Sequence, residues 1–366
     1  MENNKKEIIE DKIYETVENI LNAKDIEKNN IVTMEDFIEI GKQNYEEFDN
    51  LCYNKGDGYK IPNFEEIEKQ LEGVESGLYI IAGESNSGKT AVMNNIIKSM
   101  CSYRENKLFG IYYSLDDSKN EIIPRMIAME QDIPIGVASK PKRYENMLED
   151  CPADDKILYE EYLKKRKIGL EKLKSETDIF LIEDSSKIKN STDMLNHMKR
   201  VQTYVKTIDP EMNIVVAVDA LNDINLDPTV FGRINKEEKI GEVGKFLKQI
   251  TVDLNIPIFV SAHLRKLNGN RRPILDDLRE ANTLVYEASV IWLVFNDVSK
   301  NKGNAKIYWN DNMLENKLGA ILEMDWAKNK KSHYKGRTFL KFRPYTSKMK
   351  MCSKDDTKRY ETLVLQ

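Results

Sequence analysis

The chain has no two cysteines close enough in sequence to form a CxxC pair. Cys52, Cys101, Cys151 and Cys352 lie far apart. That spacing argues against a zinc ribbon or a redox couple, and it fits reduced thiols in a cytoplasmic protein. Histidine is equally scarce. His197, His263 and His333 are scattered over 366 residues, so no metal centre built from His and Cys is expected. No apolar run approaches the roughly 20 residues that a membrane span needs. The opening "MENNKKEIIEDKIYETVENI" is too charged for a secretory signal. A basic excess is also missing: 56 Lys and Arg face 61 Asp and Glu, for a net charge of -5. This excludes a protein that coats nucleic acid over its whole surface, and leaves room for a local basic path or a basic pore formed by several copies.

What the chain does have, from about Gly73 onward, is short apolar runs alternating with longer helical stretches. This is the pattern of a parallel sheet covered by helices. The runs are "GLYIIAG" (77–83), "FGIYYSL" (109–115), "DIFLIED" (178–184), "NIVVAVD" (213–219), "IPIFVSA" (256–262) and "VIWLVFN" (290–296). Two later runs, 319–328 and 337–344, predict an antiparallel pair at one edge, and the charged stretch 154–176 predicts a long, solvated surface helix. Near the N-terminus, "EDFIEIGKQNYEEFDNL" carries apolar residues at helical spacing, and "CYNKGDGYKIPNF" reads as a linker. The expected division is therefore a short helical region over 1–57 and one α/β domain over 58–366.

The stretch "IIAGESNSGKTAVMNNII" (80–97) contains G-x-x-x-x-G-K-T, with a strand before it and a helix after it. Glycines let such a loop curl so that backbone N–H groups point inward at phosphate oxygens, and the new helix adds its positive N-terminal dipole. The candidate nucleotide contacts are Gly83, Glu84, Ser85, Asn86, Ser87, Gly88, Lys89, Thr90 and Ala91. Lys89 would reach the β- and γ-phosphates of ATP, and the Thr90 hydroxyl would help hold Mg²⁺. A second magnesium partner should be a carboxylate at the end of a neighbouring strand. Asp219 and Asp184 both end apolar runs; the greater distance from the loop and the polar residues that follow favour Asp219. Hydrolysis also needs a group that orients or deprotonates the attacking water. "YYSLDDS" offers Asp116 and Asp117, and the residues alone do not choose between them, since one can face the γ-phosphate while the other caps the next helix.

These blocks, in this order, resemble the RecA-type motor domain of DnaB-type replicative helicases over residues 58 to about 345. The resemblance implies a RecA-like core with a mostly parallel sheet flanked by helices, an antiparallel C-terminal edge, and a short helical region before it. In "GIYYSLDDSKNEIIPRMIA" Asp116 takes the place of the family's catalytic Glu, one methylene shorter. "VAVDALNDI" resembles the Walker B strand and supports Asp219, and "FVSAHLRK" places His263 at the γ-phosphate sensor position. "DDLREANTLVYEASVIWLVFND" resembles the loop that grips single-stranded DNA, which implies Arg279, Glu280 and Asn282 as contacts. Together with "GRINKEEKIGEV" (232–243) and the basic loop "RKLNGNRRP" (265–273), bearing Arg271 and Arg272, this loop would line a central channel. "EMDWAKNKKSHYKGRTFLKF" resembles the hairpin whose Lys-x-Arg pair completes a neighbouring subunit's ATP site, here Lys328 and Lys330, with Lys in place of Arg.

The resemblance thus implies a homo-oligomeric ring, six-membered by family habit, that hydrolyses ATP with Mg²⁺ and moves along single-stranded DNA in the cytoplasm of a bacterial or phage-infected cell. A primase or helicase loader is the partner class it implies, although the short N-terminal region departs from the family's helical collar. Two other readings fit parts of the sequence: a RecA-like ATPase that binds DNA or protein without unwinding, and a small-molecule kinase, which leaves "DLREAN" unexplained.

Overall fold

The computed structural model describes residues 34–365 apart from Lys55, Asp57, Arg233, Asn268, Arg279, Glu280, Ala281, Met313 and Glu315. The chain divides into two units, Met1–Asp57 and Gly58–Gln366. In the first, α1 (Met34–Asn54) is a helix that exposes Met34, Ile38, Tyr45 and Phe48, spaced so that they share one face.

In the second unit, α2 (Glu65–Leu71) leads into β1 (Gly77–Gly83) and α3 (Lys89–Ser102). Then come β2 (Leu108–Ser114), α4 (Lys119–Gln131), α5 (Ala153–Ser175), β3 (Phe180–Asp184), α6 (Ser191–Ile208) and β4 (Asn213–Asp219). The remaining principal elements are α7 (Lys236–Asp253), β5 (Pro257–His263), α8 (Asn282–Glu287), β6 (Val290–Asn296) and α9 (Asp297–Asn301). The chain closes with β7 (Tyr308–Asn310), β8 (Leu318–Asn329), β9 (Arg337–Arg343), β10 (Lys348–Met351) and α10 (Lys354–Leu365).

All ten strands join one sheet in the order β10-β9-β8-β6-β1-β5-β4-β2-β3, with β7 paired to β8. The six strands from β6 to β3 are parallel, and β8, β9 and β10 extend the sheet antiparallel from β6. The expected fold class is what the structure has. The parallel strands read as continuous apolar runs because both of their faces are buried. Tyr79, Ile81, Tyr112, Ala217 and Trp292 pack with Val92, Ile96 and Met100 of α3 on one face. Leu78, Ile80, Tyr113, Val218 and Val260 pack with Met198 of α6 and Leu247 of α7 on the other.

Two strands fall outside the expected set. β7 has only three residues, and β10 is "KMKM", whose alternation buries Met349 and leaves the lysines outward. A three-residue run and a lysine-alternating one carry too little apolar signal of their own; pairing with β8 and β9 makes them strands. β1 lies between β5 and β6, and β5 separates it from β4. This order brings the carboxyl ends of β1, β5, β4 and β2 to one rim, where ligands bind in open α/β sheets.

Candidate nucleotide site

The loop after β1 folds as a cradle. Gly88 has φ 100°, a left-handed conformation that favours glycine, and a Cβ there would also crowd the Leu322 side chain at 2.9 Å. A Cβ at Gly83 would come within 2.9 Å of the Val294 carbonyl oxygen. The Ser87 hydroxyl is buried in the loop with no hydrogen-bond partner. Buried polar groups are rarely left so, and a phosphate oxygen is the acceptor that fits. Lys89 opens α3, and its ammonium donates to the carbonyls of Gly83 (3.1 Å) and Glu84 (2.9 Å). Burial lowers the pKa of Lys89, while the charges of Asp219 and Asp116 oppose that shift.

One residue along, the Thr90 hydroxyl donates to Asp219 Oδ2 at 2.7 Å across the intervening strand. The Tyr112 hydroxyl donates to the same oxygen at 3.0 Å, and the Ser261 hydroxyl donates to the other one. Asp219 is thereby fixed in place with an acidic edge beside Thr90, which is the donor set a hard cation takes. The backbone N–H groups of Leu115 (2.6 Å) and Asp116 (3.0 Å) both donate to the Asp219 carbonyl oxygen, which locks the end of β2 to the end of β4. Asp184, by contrast, ends the outermost strand, β3, and accepts from the Ser186 N–H at 3.1 Å and from the Ser186 hydroxyl. It acts there as a local turn former.

The two acids after β2 diverge. The Asp117 carboxylate is bound by the Arg125 guanidinium from α4. The helix itself is capped by Ser118, whose N–H donates to Glu121 at 3.0 Å, so neither aspartate is the cap. Asp116 stays largely exposed to the cleft, its Oδ2 4.0 Å from His263 Nε2. Burial first, and then the charge of Lys89, hold His263 below its usual value, which leaves the imidazole neutral at pH 7. Its backbone N–H donates to Asn222 Oδ1 at 3.3 Å. A cleft of about 610 Å³ opens over these groups, lined by Thr90, Asp116, Arg125, Asp219, His263 and Phe342.

Tyr112, Arg125, Asn222 and Ser261 are site residues that sequence reading missed. Ser261 had a signal, a lone hydroxyl in an apolar run two residues before His263. The other three are placed by tertiary packing.

The basic loop is held by its own domain. Arg271 makes a two-pronged pair with Asp277 (2.6 and 2.5 Å), and Arg265 Nε donates to the same carboxylate at 2.9 Å. Arg272 makes another with Glu323 of β8 (2.6 and 2.9 Å). Both guanidinium groups are thus paired with carboxylates of their own domain. Arg271 above all, with the Ile274 N–H and Arg265 in support, holds the Asp277 carboxyl well below the usual carboxylate range despite its burial. A carboxyl with a depressed folded-state pKa stabilises the fold above its unfolded value of about 3.9, and the contribution is lost as pH falls through the lower folded value. Asp277→Asn should therefore lower the urea midpoint at pH 7, and the gap from the parent protein should narrow as pH drops below about 4. An equal gap at pH 7 and pH 3 would contradict this account.

Arg279 and Glu280 lie outside the described residues, as does the side chain of Asn282, whose backbone opens α8. Lys328 and Lys330, at the end of β8, donate to carbonyls near the end of α8. Lys328 reaches Val285 and Tyr286 (3.2 Å), and Lys330 reaches Tyr286 (3.2 Å). Burial, and then the charge of Lys330, push Lys328 down to about 8.

A profile of the DnaB-like helicase C terminal domain matches residues 61–350. The chain belongs to that family. DnaB-like domains use nucleotides, and the cradle above is where this one would hold its own. The probable replicative DNA helicase of Trieres chinensis is 26% identical over 259 residues, which cover 69% of this chain and 50% of that protein. The replicative DNA helicase DnaB of Mycoplasma pneumoniae is 22% identical over 286 residues, 72% of this chain and 54% of that one. This DnaB-like chain thus spans about half the length of those curated relatives. Among solved structures, an ATPase domain aligns with TM-score 0.65 at 19% identity, covering 86% of this chain and 98% of that one. A DnaB-like replicative helicase, described together with its interactions with primase, aligns with TM-score 0.65 at 19% identity over 93% and 75% of the two chains. Both support the RecA-like fold. Among the described residues, no helix is long and apolar enough to cross a membrane.

Proposed function

We propose that the protein is an ATP-dependent replicative DNA helicase that moves along single-stranded DNA as a ring-shaped oligomer. The observation that carries this reading is the separation of Lys328 and Lys330 from the cradle of their own chain. Lys328 pairs with Ile291 near the start of β6, whereas Gly83 pairs with Val294 further along that strand. Three residues of strand rise and two inter-strand spacings put roughly 14 Å between the two backbone positions. In this reading the lysines serve another copy's cleft, and each site is completed between subunits. A head-to-tail contact of this kind repeats until it closes. The apolar face of α1 fits a helix that docks on the adjacent copy.

Within one cleft the proposed roles follow the geometry. The cradle amides, Lys89 and the Ser87 hydroxyl bind the phosphates. Thr90 and Asp219 would hold Mg²⁺, with the Tyr112 and Ser261 hydroxyls fixing the carboxylate. The ion would neutralise charge on the β- and γ-phosphates. Asp116 takes the proton of the attacking water, and neutral His263 reports the γ-phosphate to the segment that follows it. Arg279, Glu280 and Asn282 contact the DNA backbone; Arg271 and Arg272 act as struts for that loop. Primase or a helicase loader is the proposed partner class, a choice supported by the replicative relatives.

The test is ATPase and strand displacement on a forked duplex. ATPase should rise with single-stranded DNA, the forked strand should be displaced with ATP, and the protein should form a ring in the presence of an ATP analogue. DNA-stimulated ATPase without displacement would replace the helicase by a DNA-binding ATPase. A chain that stays monomeric with nucleotide and oligonucleotide at saturation would overturn the motor reading.

A further inference from the structure

Glu84, the second residue of the cradle, carries two connections that nucleotide binding does not require. Its backbone carbonyl accepts from Lys89 at 2.9 Å. Its carboxylate turns the other way, taking the Leu267 N–H at 2.9 Å on one oxygen and the Lys300 ammonium at 2.7 Å on the other. Leu267 lies four residues past His263, and Lys300 lies on α9, just past the end of β6. Both partners are largely shielded from water, with side-chain exposures of 18% for Lys300 and 25% for Glu84. Burial alone would raise the Glu84 carboxyl; the Lys300 ammonium and the Leu267 amide outweigh it and hold the group below its usual value.

The segment on the far side of this contact is closed on itself. Leu264 bridges Leu278 antiparallel, the Arg265 N–H donates to the Asp277 carbonyl at 3.0 Å, and Arg265 and Arg271 bind the Asp277 carboxylate. Its far end, Leu278, is the residue before the candidate DNA contact Arg279. A path of described contacts therefore runs from Lys89 through Glu84 to Leu267, back along the chain to Arg265 and Leu264, and across to Asp277 and Leu278, next to the candidate DNA loop. Lys300 holds the hinge of that path from a different element. A cleft of about 580 Å³ lies beside the contact, lined by Glu84, Ser87, His263, Leu267, Pro273 and Lys300, so the contact borders both the phosphate loop and the 264–278 segment.

We propose that the Glu84–Lys300 pair is a positioning clamp that transmits occupancy of the phosphate cradle to the DNA-binding loop. The clamp rests on the DNA reading above and deepens it: Lys300 is outside the candidate nucleotide and DNA contacts, and acts by fixing the carboxylate that holds Leu267. The coupling is reciprocal, so DNA bound at the loop should alter nucleotide affinity by the same factor as nucleotide alters DNA affinity.

The experiment measures single-stranded oligonucleotide affinity with and without a non-hydrolysable ATP analogue, beside basal ATPase, for the parent protein, Lys300→Met and Lys300→Arg. Lys300→Met should keep basal turnover within about twofold. Its ratio of DNA affinities with and without nucleotide should fall at least about fivefold toward unity, within the range of measured couplings. Lys300→Arg should restore most of the ratio, a rescue that a merely structural defect would not show. Glu84→Gln keeps an acceptor for the Leu267 N–H but loses the ion pair. It should also lose coupling, and combining it with Lys300→Met should add little. Intact coupling in Lys300→Met overturns the clamp and leaves the DNA reading standing. DNA binding by the parent protein that does not change with nucleotide also overturns the clamp alone, whereas absence of DNA binding overturns both.

Discussion

Lys89→Ala should cut ATP turnover by at least about 100-fold, the scale set by removal of one preorganised charge from a phosphoryl-transfer site. The position explains the size of the effect. Lys89 is almost wholly buried, and its ammonium rests on two loop carbonyls, facing Asp219 and Asp116. Burial pushes the ammonium's pKa down, and the charges of the two aspartates oppose that shift. Alanine leaves the Gly83 and Glu84 carbonyls without their donor and the aspartates without a counter-charge. The remaining acids would then repel the phosphates. Phosphate release at saturating ATP measures the loss, and a melting curve verifies that the variant is folded. Turnover within threefold of the parent protein would remove Lys89 from the cradle's chemistry and with it the assignment of the loop.

The contrast between local and distant signals explains what the sequence reveals. The cradle is legible because its chemistry is contiguous: strand, glycine turn and helix follow one another within 26 residues of "GLYIIAGESNSGKTAVMNNIIKSMCS". The six parallel strands are legible for a similar reason, since burial on both faces writes each as one apolar run. Ion pairs are different. Glu84 meets Lys300 across 216 residues and Arg272 meets Glu323 across 51, and no periodicity links such positions. The basic loop therefore looks open to phosphate in the sequence, while in the fold Asp277 and Glu323 take its arginines. Asp116 and Asp117 look equivalent until Arg125 binds one of them and leaves the other facing His263. In each case a partner that no periodicity reveals determines what the side chain contacts.

Arg272 carries the second large expected effect, on stability. Its guanidinium grips Glu323, whose side chain is 2% exposed, and stacks over the Phe295 ring at 5.3 Å. Glu323 sits on β8 between Phe295 of β6 and Phe339 of β9, at the centre of the antiparallel half of the sheet. Burial raises the Glu323 carboxyl even with Arg272 present to oppose it. Arg272→Ala strands a buried carboxylate and should cost about 3–5 kcal/mol, a fall in Tm on the order of 10 °C for a domain of this size. The sign of the pH dependence follows. A carboxyl raised in the folded state costs nothing while protonated, and its penalty appears as pH rises through the folded-state value. The deficit of Arg272→Ala should therefore shrink on acidification toward pH 4.5. Replacing both partners, as Arg272→Met with Glu323→Leu, removes the buried charge altogether and should recover most of the stability. Oligonucleotide binding by that folded double variant separates the strut from a phosphate contact: a strut leaves DNA affinity nearly intact once the core is repaired, whereas a lost phosphate contact weakens binding and flattens its salt dependence. A single variant that melts with the parent protein would mean that Glu323 is not held by Arg272 in solution.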